Sequence, residues 1–494
     1  MSSPWSLVLS AVMLASALAV ALLRNSKTRA LPPGPPGHWL YGNAPPTSFA
    51  ALTYAKLADT YGPVVSLRYG LSRVVCVVGR YQAAVDIMSK HSAETADRPR
   101  VVAGNEILSK GLRVLMTRAG DRLKRNRRAL HAFLQPSIAA TYKPFQYKNA
   151  KYYILDCFHA PEEHINHAKK YAASIVMSIA FGKTTPTSYS DPEVVAVNTC
   201  LARFGAALRP GAHLVDTYPF LQYVPGYGAQ LRRHQQEEYA LYHGQIEGVR
   251  QKMAKGDAAP SFTAYMIENK EKLGLSEDEL VYLAGSIFGA GSDTTAAAMS
   301  FVMMAAACHP EAQARVQAQL DKVVGRDRAP TFDDEEMLTE VTAFVLESYR
   351  WRPVSIGGFA HRVTEDIVWN GYVIPVGTEI IGNHWAISRD PDTYPEPEKF
   401  KPERWIDEQG KLRKDLKFFN FGFGRRVCVG QYVADNSLYI NTALLLWAFH
   451  VAPVPDKPIN TMAFTDTANT HPLPFVTSMT PRIADLERIL GADD

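Results

Sequence analysis

Hydrophobic and polar positions along this chain form three kinds of run. From Pro4 to Leu23, PWSLVLSAVMLASALAVALL, no position is charged, and about 20 such residues suffice for a helix to cross a bilayer. Between Val64 and Gly79 the runs are short and rich in valine, VVSLRYG and then SRVVCVVG; the Gly70-Leu71-Ser72 break predicts two strands joined by a turn. A second strand-rich patch runs from Ile367 to Ile381, with Asn370-Gly371 as its turn. Elsewhere helical patterns dominate. The longest opens at Ser276-Glu277-Asp278-Glu279 and ends at His309-Pro310. Its serine and the glutamate three residues on predict a capping box. At 1.5 Å per residue this helix is roughly 45 Å long, and being apolar nearly all round it is predicted to be buried. No internal repeat or low-complexity tract interrupts residues 38–494. The pattern predicts one large body, mainly α with small β-sheets.

Charge gives the ends of these runs a meaning. Arg24, Lys27 and Arg29 follow the N-terminal apolar run and none precedes it, which predicts a membrane anchor over residues 1–30 with the rest of the chain in the cytosol. A cleaved signal peptide would carry its basic residues before the run. Next comes LPPGPPG, residues 31–37, whose prolines exclude helix and central strand and predict a stiff hinge. The body is therefore 31–494. Apolar residues make up 47% and charged residues 21% of the 494, which excludes a disordered chain. The 53 basic and 49 acidic residues leave +4, a balance that does not point to nucleic acid.

Five cysteines, Cys76, Cys157, Cys200, Cys308 and Cys428, are widely spaced, with no CxxC. This argues against a disulfide framework and a structural zinc site. Only Cys428 has a chemically suggestive setting, FGFGRRVCVG at 421–430. A lone cysteine serves as core filler, nucleophile or metal ligand. A metal-bound thiolate accounts best for the surroundings: Gly422, Gly424 and Gly430 allow close backbone approach, and Arg426 is placed to neutralise a cofactor carboxylate. One cysteine cannot hold an iron–sulfur cluster, but one thiolate is enough as the axial ligand of haem.

The pattern Phe421-x-x-Gly424-x-Arg426-x-Cys428-x-Gly430 resembles the haem-binding signature of the cytochrome P450 family. Three more motifs stand in that family's order: Ala290 to Thr295 (AGSDTT), Glu347-x-x-Arg350, and Pro402-Glu403-Arg404-Trp405. The resemblance covers nearly the whole chain and implies a haem-thiolate fold, haem b as cofactor, and Cys428 as the iron ligand. It implies that Thr294 and Asp293 deliver protons to dioxygen so that the O–O bond splits heterolytically, Thr295 being the weaker candidate. Gly291 is expected to open a notch in the helix, and Thr294 to bond back to the Ala290 carbonyl. Glu347, Arg350 and Arg404 are implied to form a buried structural network. Arg127, His361 and Arg426 are implied to hold the two propionates, although Leu123 stands where the family often has tryptophan.

The resemblance further implies an NADPH-dependent cytochrome reductase as electron donor, since no flavin or nicotinamide domain is encoded; the basic run Arg122 to Arg128 is a candidate docking face. The pocket is implied to be lined from 101–116, 287–294, 354–359 and 467–471, with Gly357-Gly358 making room for a wide skeleton. This favours a lipophilic small molecule, terpenoid- or polyketide-like in a fungal microsomal enzyme of the endoplasmic reticulum membrane. The stretch 217–230 is a candidate for dipping into that membrane. The rival readings are a haem-thiolate isomerase or dehydratase, and a haem-binding sensor without turnover.

Overall fold

The computed structural model describes residues 30–184, 187–209 and 211–491. The anchor expected over 1–30 lies almost wholly outside them. Among the described residues no helix is long and apolar enough to cross a membrane.

The longer helices are α1 (Ala50–Tyr61), α2 (Asp121–Leu134), α3 (Lys143–His159), α4 (His164–Phe181), α5 (Pro192–Ala207), α6 (Ala229–Lys255), α7 (Glu277–Cys308), α8 (Pro310–Val323), α9 (Thr339–Trp351) and α10 (Gln431–Ala448). The central one is α7. Its capping box forms as predicted: Ser276 Oγ accepts from the Glu279 N–H at 3.2 Å, and Glu279 Oε2 accepts from the Ser276 N–H at 3.0 Å. A helix apolar on every side needs neighbours on every side, and α4, α5, α6, α9 and α10 supply them around the main core. Glycines set how closely they approach. A Cβ on Gly285 would lie 2.3 Å from the Tyr242 ring of α6, and one on Gly291 would lie 2.7 Å from Val176 Cγ2 of α4. The notch expected at Gly291 therefore exists but is filled by Val176.

The valine-rich stretches form β1 (Val64–Tyr69) and β2 (Arg73–Val78), paired antiparallel with Val64 opposite Val78. Alternation explains why both faces are apolar. Val65, Leu67, Val75 and Val77 meet α1, while Val64, Cys76 and Val78 join a second cluster with Ile87 and Ile380. The patch at 367–381 divides. Strands β4 (Ile367–Trp369) and β5 (Tyr372–Ile374) make the expected hairpin, with Asn370 and Gly371 at φ 47° and 80°. Strand β6 (Glu379–Gly382) leaves it to pair parallel with β2 and antiparallel with β3 (His361–Arg362), giving the order β1-β2-β6-β3. A last ribbon pairs β7 (Phe449–Pro453) with β8 (Thr477–Pro481).

The proline-rich segment is not a free-standing hinge. The open edge of β1 presents the Ser66 N–H to the Pro33 carbonyl at 2.9 Å, and Ser66 Oγ donates to the Pro32 carbonyl at 2.6 Å. Proline lacks an N–H but keeps its acceptor, so it docks on that edge without extending the sheet.

Candidate active site

A cavity of about 590 Å³ lies between the middle of α7, the loop before α10 and the inner end of the sheet. Cys428 opens onto it. The loop that carries the thiol is shaped by its glycines: Gly422 and Gly424 sit at φ 84° and 49°, a region that favours glycine. A Cβ on Gly424 would also come within 2.3 Å of Ser92 Cβ. The turn closes through the Cys428 N–H donating to the Phe421 carbonyl at 2.8 Å. Phe421 packs edge-on against Tyr349 of α9, centroids 5.6 Å apart. The thiol lines this space. Burial pushes its pKa up, while the Gly430 N–H and the charge of Arg127 favour the thiolate.

Three guanidinium groups flank the same cavity. Arg426 donates to the carbonyls of Ala96 and Thr117, each at 2.6 Å. Arg127 donates to the Val427 carbonyl at 2.9 Å. Arg98 donates to Leu115 at 3.0 Å and to Phe359 and Ala360 at 2.9 and 2.6 Å. Among the described residues none of the three is in an ion pair. The nearest acid, Asp97, is engaged by Arg118 and Arg362. Burial, then mutual repulsion, brings Arg98 down to about 9 and Arg426 to about 10. Burial and the charge on Arg98 hold His361 neutral, down at about 3, with Nδ1 against the Thr95 carbonyl at 2.6 Å. One buried and two half-buried cations without a carboxylate suit a cofactor that brings two of its own. The donor set therefore fits haem: a sulfur at one face and a cationic rim for the propionates. Arg98 was missed in the sequence because nothing marks DRPR as more than a polar loop.

The Glu347 network is complete. Glu347 and Arg350 are fully buried, joined by two bonds of 2.9 and 2.7 Å. Arg404 Nε reaches Glu347 at 3.2 Å. Trp405 adds a contact that sequence reading missed, its indole N–H donating to Glu347 Oε2 at 2.9 Å. Arg350 is also fixed by the carbonyls of Ser388, Pro397 and Lys399. The network lies behind the thiol loop and does not line the cavity.

On α7, Thr294 Oγ1 donates to the Ala290 carbonyl at 2.8 Å, as expected. Asp293 is held from across the cavity: His471 Nε2 lies 2.9 Å from Oδ1, and Asn469 Nδ2 donates to Oδ2 at 2.9 Å. Burial would raise the Asp293 pKa, but His471 and Asn469 outweigh it and hold the carboxyl below its usual range. Thr295 also lines the cavity.

The lining departs from expectation in three places. Of 101–116, only Arg113, Val114 and Leu115 reach the cavity; Val102, Ala103 and Ile107 pack instead with Phe204 and Val215 in a separate core. Gly357 does not line it; Gly358 does, and also serves a close approach, its Cβ position 2.7 Å from the Gly382 carbonyl. Conversely, α5 contributes Asn198, Leu201, Ala202 and Gly205, a helical i, i+3, i+4, i+7 stripe that the sequence contained but did not assign to a pocket. The basic run also divides. Arg122 and Arg125 pair with Glu279 at 2.9 and 3.5 Å, Lys124 pairs with Asp121, and Arg127 points inward.

Comparison with known proteins agrees with this geometry. Residues 32–479 match the family model for cytochrome P450. Cytochrome P450 monooxygenase 64 of Postia placenta is 68% identical over 475 residues, 96% of each chain. Cytochrome P450 monooxygenase 113 of the same fungus is 65% identical, covering 94% of this chain and 93% of its own. Cytochrome P450 monooxygenase claR of Ampulloclitocybe clavipes is 34% identical, over 95% and 90%. A thiol facing an apolar cavity, a cationic rim without acids and a family match along nearly the whole chain lead to one conclusion: this protein belongs to the cytochrome P450 family, haem-thiolate oxidoreductases.

Proposed function

We propose that this enzyme inserts one oxygen atom into a lipophilic small molecule of terpenoid or polyketide type, R–H + O2 + 2e⁻ + 2H⁺ giving R–OH + H2O. The observation that carries the reading is the Cys428 thiol opening into a mainly apolar cavity that Thr294 and Asp293 also line. Haem b, when bound, supplies the redox chemistry of dioxygen. Cys428 would hold its iron through the thiolate, and Arg98, Arg127 and Arg426, with His361 beside them, would receive the propionates.

Thr294 keeps its hydroxyl hydrogen on Ala290 and so presents oxygen lone pairs to the cavity. Asp293, ionised and partly exposed, is positioned to pass protons inward from the solvent side. The two electrons come from NADPH through a separate reductase. Its docking face is narrower than the whole basic run: Arg122 and Arg125 are already paired, which leaves Arg128 as the outward cation without an ion pair among the described residues.

A single-pass anchor in the endoplasmic reticulum membrane remains our reading of residues 1–30. It is supported by a second apolar surface: Tyr218, Phe220, Tyr223 and Val224 are all exposed, Tyr223 at 80%, as suits a segment resting on lipid. The test is incubation of the anchored holoenzyme with a fungal reductase, NADPH and ¹⁸O2 against a terpenoid and polyketide panel. Products one ¹⁸O heavier are expected. Product formed without ¹⁸O or NADPH use would replace oxygenation with isomerase or dehydratase chemistry.

A further inference from the structure

We infer that the cavity contains a built polar subsite, away from the thiol, for a neutral oxygen function already present on the substrate. The inference rests on the monooxygenase reading only in taking the cavity as the substrate's place.

The subsite is centred on Arg113. This residue lines the cavity with Phe204 and Asn198, and its guanidinium lies over the Phe204 ring, 4.0 Å from the centroid. It pairs with Glu238 of α6 at 2.6 Å, the two side chains 6% and 1% exposed. A long bond of 3.4 Å runs to Ser109 Oγ. A guanidinium carries five N–H donors, and the bonds to Glu238 and Ser109 use only part of them. Four buried polar atoms have no hydrogen-bond partner: Asn198 Oδ1, whose residue lines the cavity, and Glu238 Oε1, Tyr242 OH and Tyr282 OH, whose residues do not. The two phenols belong to the surroundings of the ion pair, Tyr242 beside Arg113 and Tyr282 beside Glu238 and Gln235. Buried polar groups are nearly always paired, and the unpaired one on a lining residue, Asn198 Oδ1, calls for a partner from within the cavity.

Charge selects the partner. Arg113 and Glu238 sum to zero. A substrate carboxylate would compete with Glu238 for the same guanidinium and leave one buried acid unpaired, which is strongly unfavourable. A hydrocarbon would leave the orphaned atoms as they are. A ketone or alcohol fits: its oxygen accepts from Arg113, and a hydroxyl hydrogen satisfies Asn198 Oδ1. Position then sets the distance between the two ends. Ser286 and Tyr282, on the α7 turns beside this cluster, precede Thr294 by two and three turns, about 12–18 Å along the axis. The substrate is therefore a neutral, already oxygenated lipophile, attacked at carbon remote from its existing oxygen. An oxygenating step precedes this enzyme.

The experiment uses the holoenzyme and reads binding from the Soret shift. Drimane, abietane and androstane skeletons are each supplied as hydrocarbon, as alcohol or ketone, and as carboxylic acid. On at least one skeleton the neutral oxygenated member is expected to bind about tenfold tighter than the hydrocarbon, the worth of one good hydrogen bond, with the acid weakest. Replacing both charges together, Arg113→Leu with Glu238→Leu, avoids an unpaired buried charge; it is expected to bring that ratio near one without weakening hydrocarbon binding. Asn198→Leu, outside the ion pair, is expected to lower the preference for alcohols over ketones. A purely structural ion pair would change all three classes alike. The inference is overturned if the acid binds tightest, if the ratio survives in both variants, or if no member of the panel shifts the spectrum. A wild-type thiolate spectrum with a flat panel defeats the subsite alone; loss of that spectrum defeats the monooxygenase reading.

Discussion

At the scale of single residues, the molecule concentrates charge where water is absent and resolves it in two ways. Glu347 is surrounded by donors: the Arg350 guanidinium, Arg404 Nε, the Trp405 indole and the Lys401 N–H at 2.8 Å. Removing that carboxylate strands a fully buried arginine, at a cost of about 3–5 kcal/mol. Glu347→Ala is expected to give little haem-loaded protein, read as the ratio of Soret to protein absorbance; full loading at normal yield would refute the structural role. Arg98, Arg127 and Arg426 are the opposite case, cations that the protein itself leaves without acids. Arg426, Arg127 and the ExxR pair were legible as motif positions. Arg98 was not, and Trp405 was read as a motif position without its contact to Glu347, because these roles depend on partners about 260 and 58 positions away, and no local pattern records such distances.

At the scale of elements, local rules carried far. The capping box placed the start of α7, Asn370-Gly371 placed the β4–β5 turn, and alternation placed β1 and β2. They failed where strands pair at long range: β6 lies within a stretch that reads as one patch with the hairpin, yet hydrogen-bonds to β2 some 300 positions earlier. Gly291 shows the same limit. A glycine beside a polar pair reads as an opening, and its neighbour on α4 is invisible in sequence. The packing makes a definite prediction. Gly291→Ala pushes a methyl group against Val176 and is expected to lower the melting temperature, with Val176→Ala in the same chain recovering most of the loss. A rescue much smaller than the initial loss would mean that the notch is open after all.

At the scale of the whole molecule, a buried and a half-buried histidine make stability depend on pH. Burial brings His309 and His384 down to about 4, against about 6.5 in the unfolded chain. Below pH 6.5 the unfolded state binds protons that the folded state refuses, so stability is full above that pH and declines as pH falls toward 4. Denaturant unfolding at pH 7 and pH 5 is expected to show lower stability at pH 5, with the difference reduced in His309→Gln. Equal midpoints at both pH values would count against these assignments. Fold class and reaction class were readable in the sequence because four motifs in order cover the core of the chain. Pocket shape was not: α5 enters the cavity through its packing against α7, and the 101–112 segment leaves it by packing on α5 and α6.

All of this depends on sulfur at position 428 facing the cavity. The most direct measurement is the absorption spectrum of the reduced, carbon-monoxide-bound protein, wild type beside Cys428→Ser. The wild type is expected to show its Soret band at the long-wavelength position of thiolate-ligated haem, and the serine variant to lose both that band and product formation. A serine variant that kept the band and the product would contradict the account.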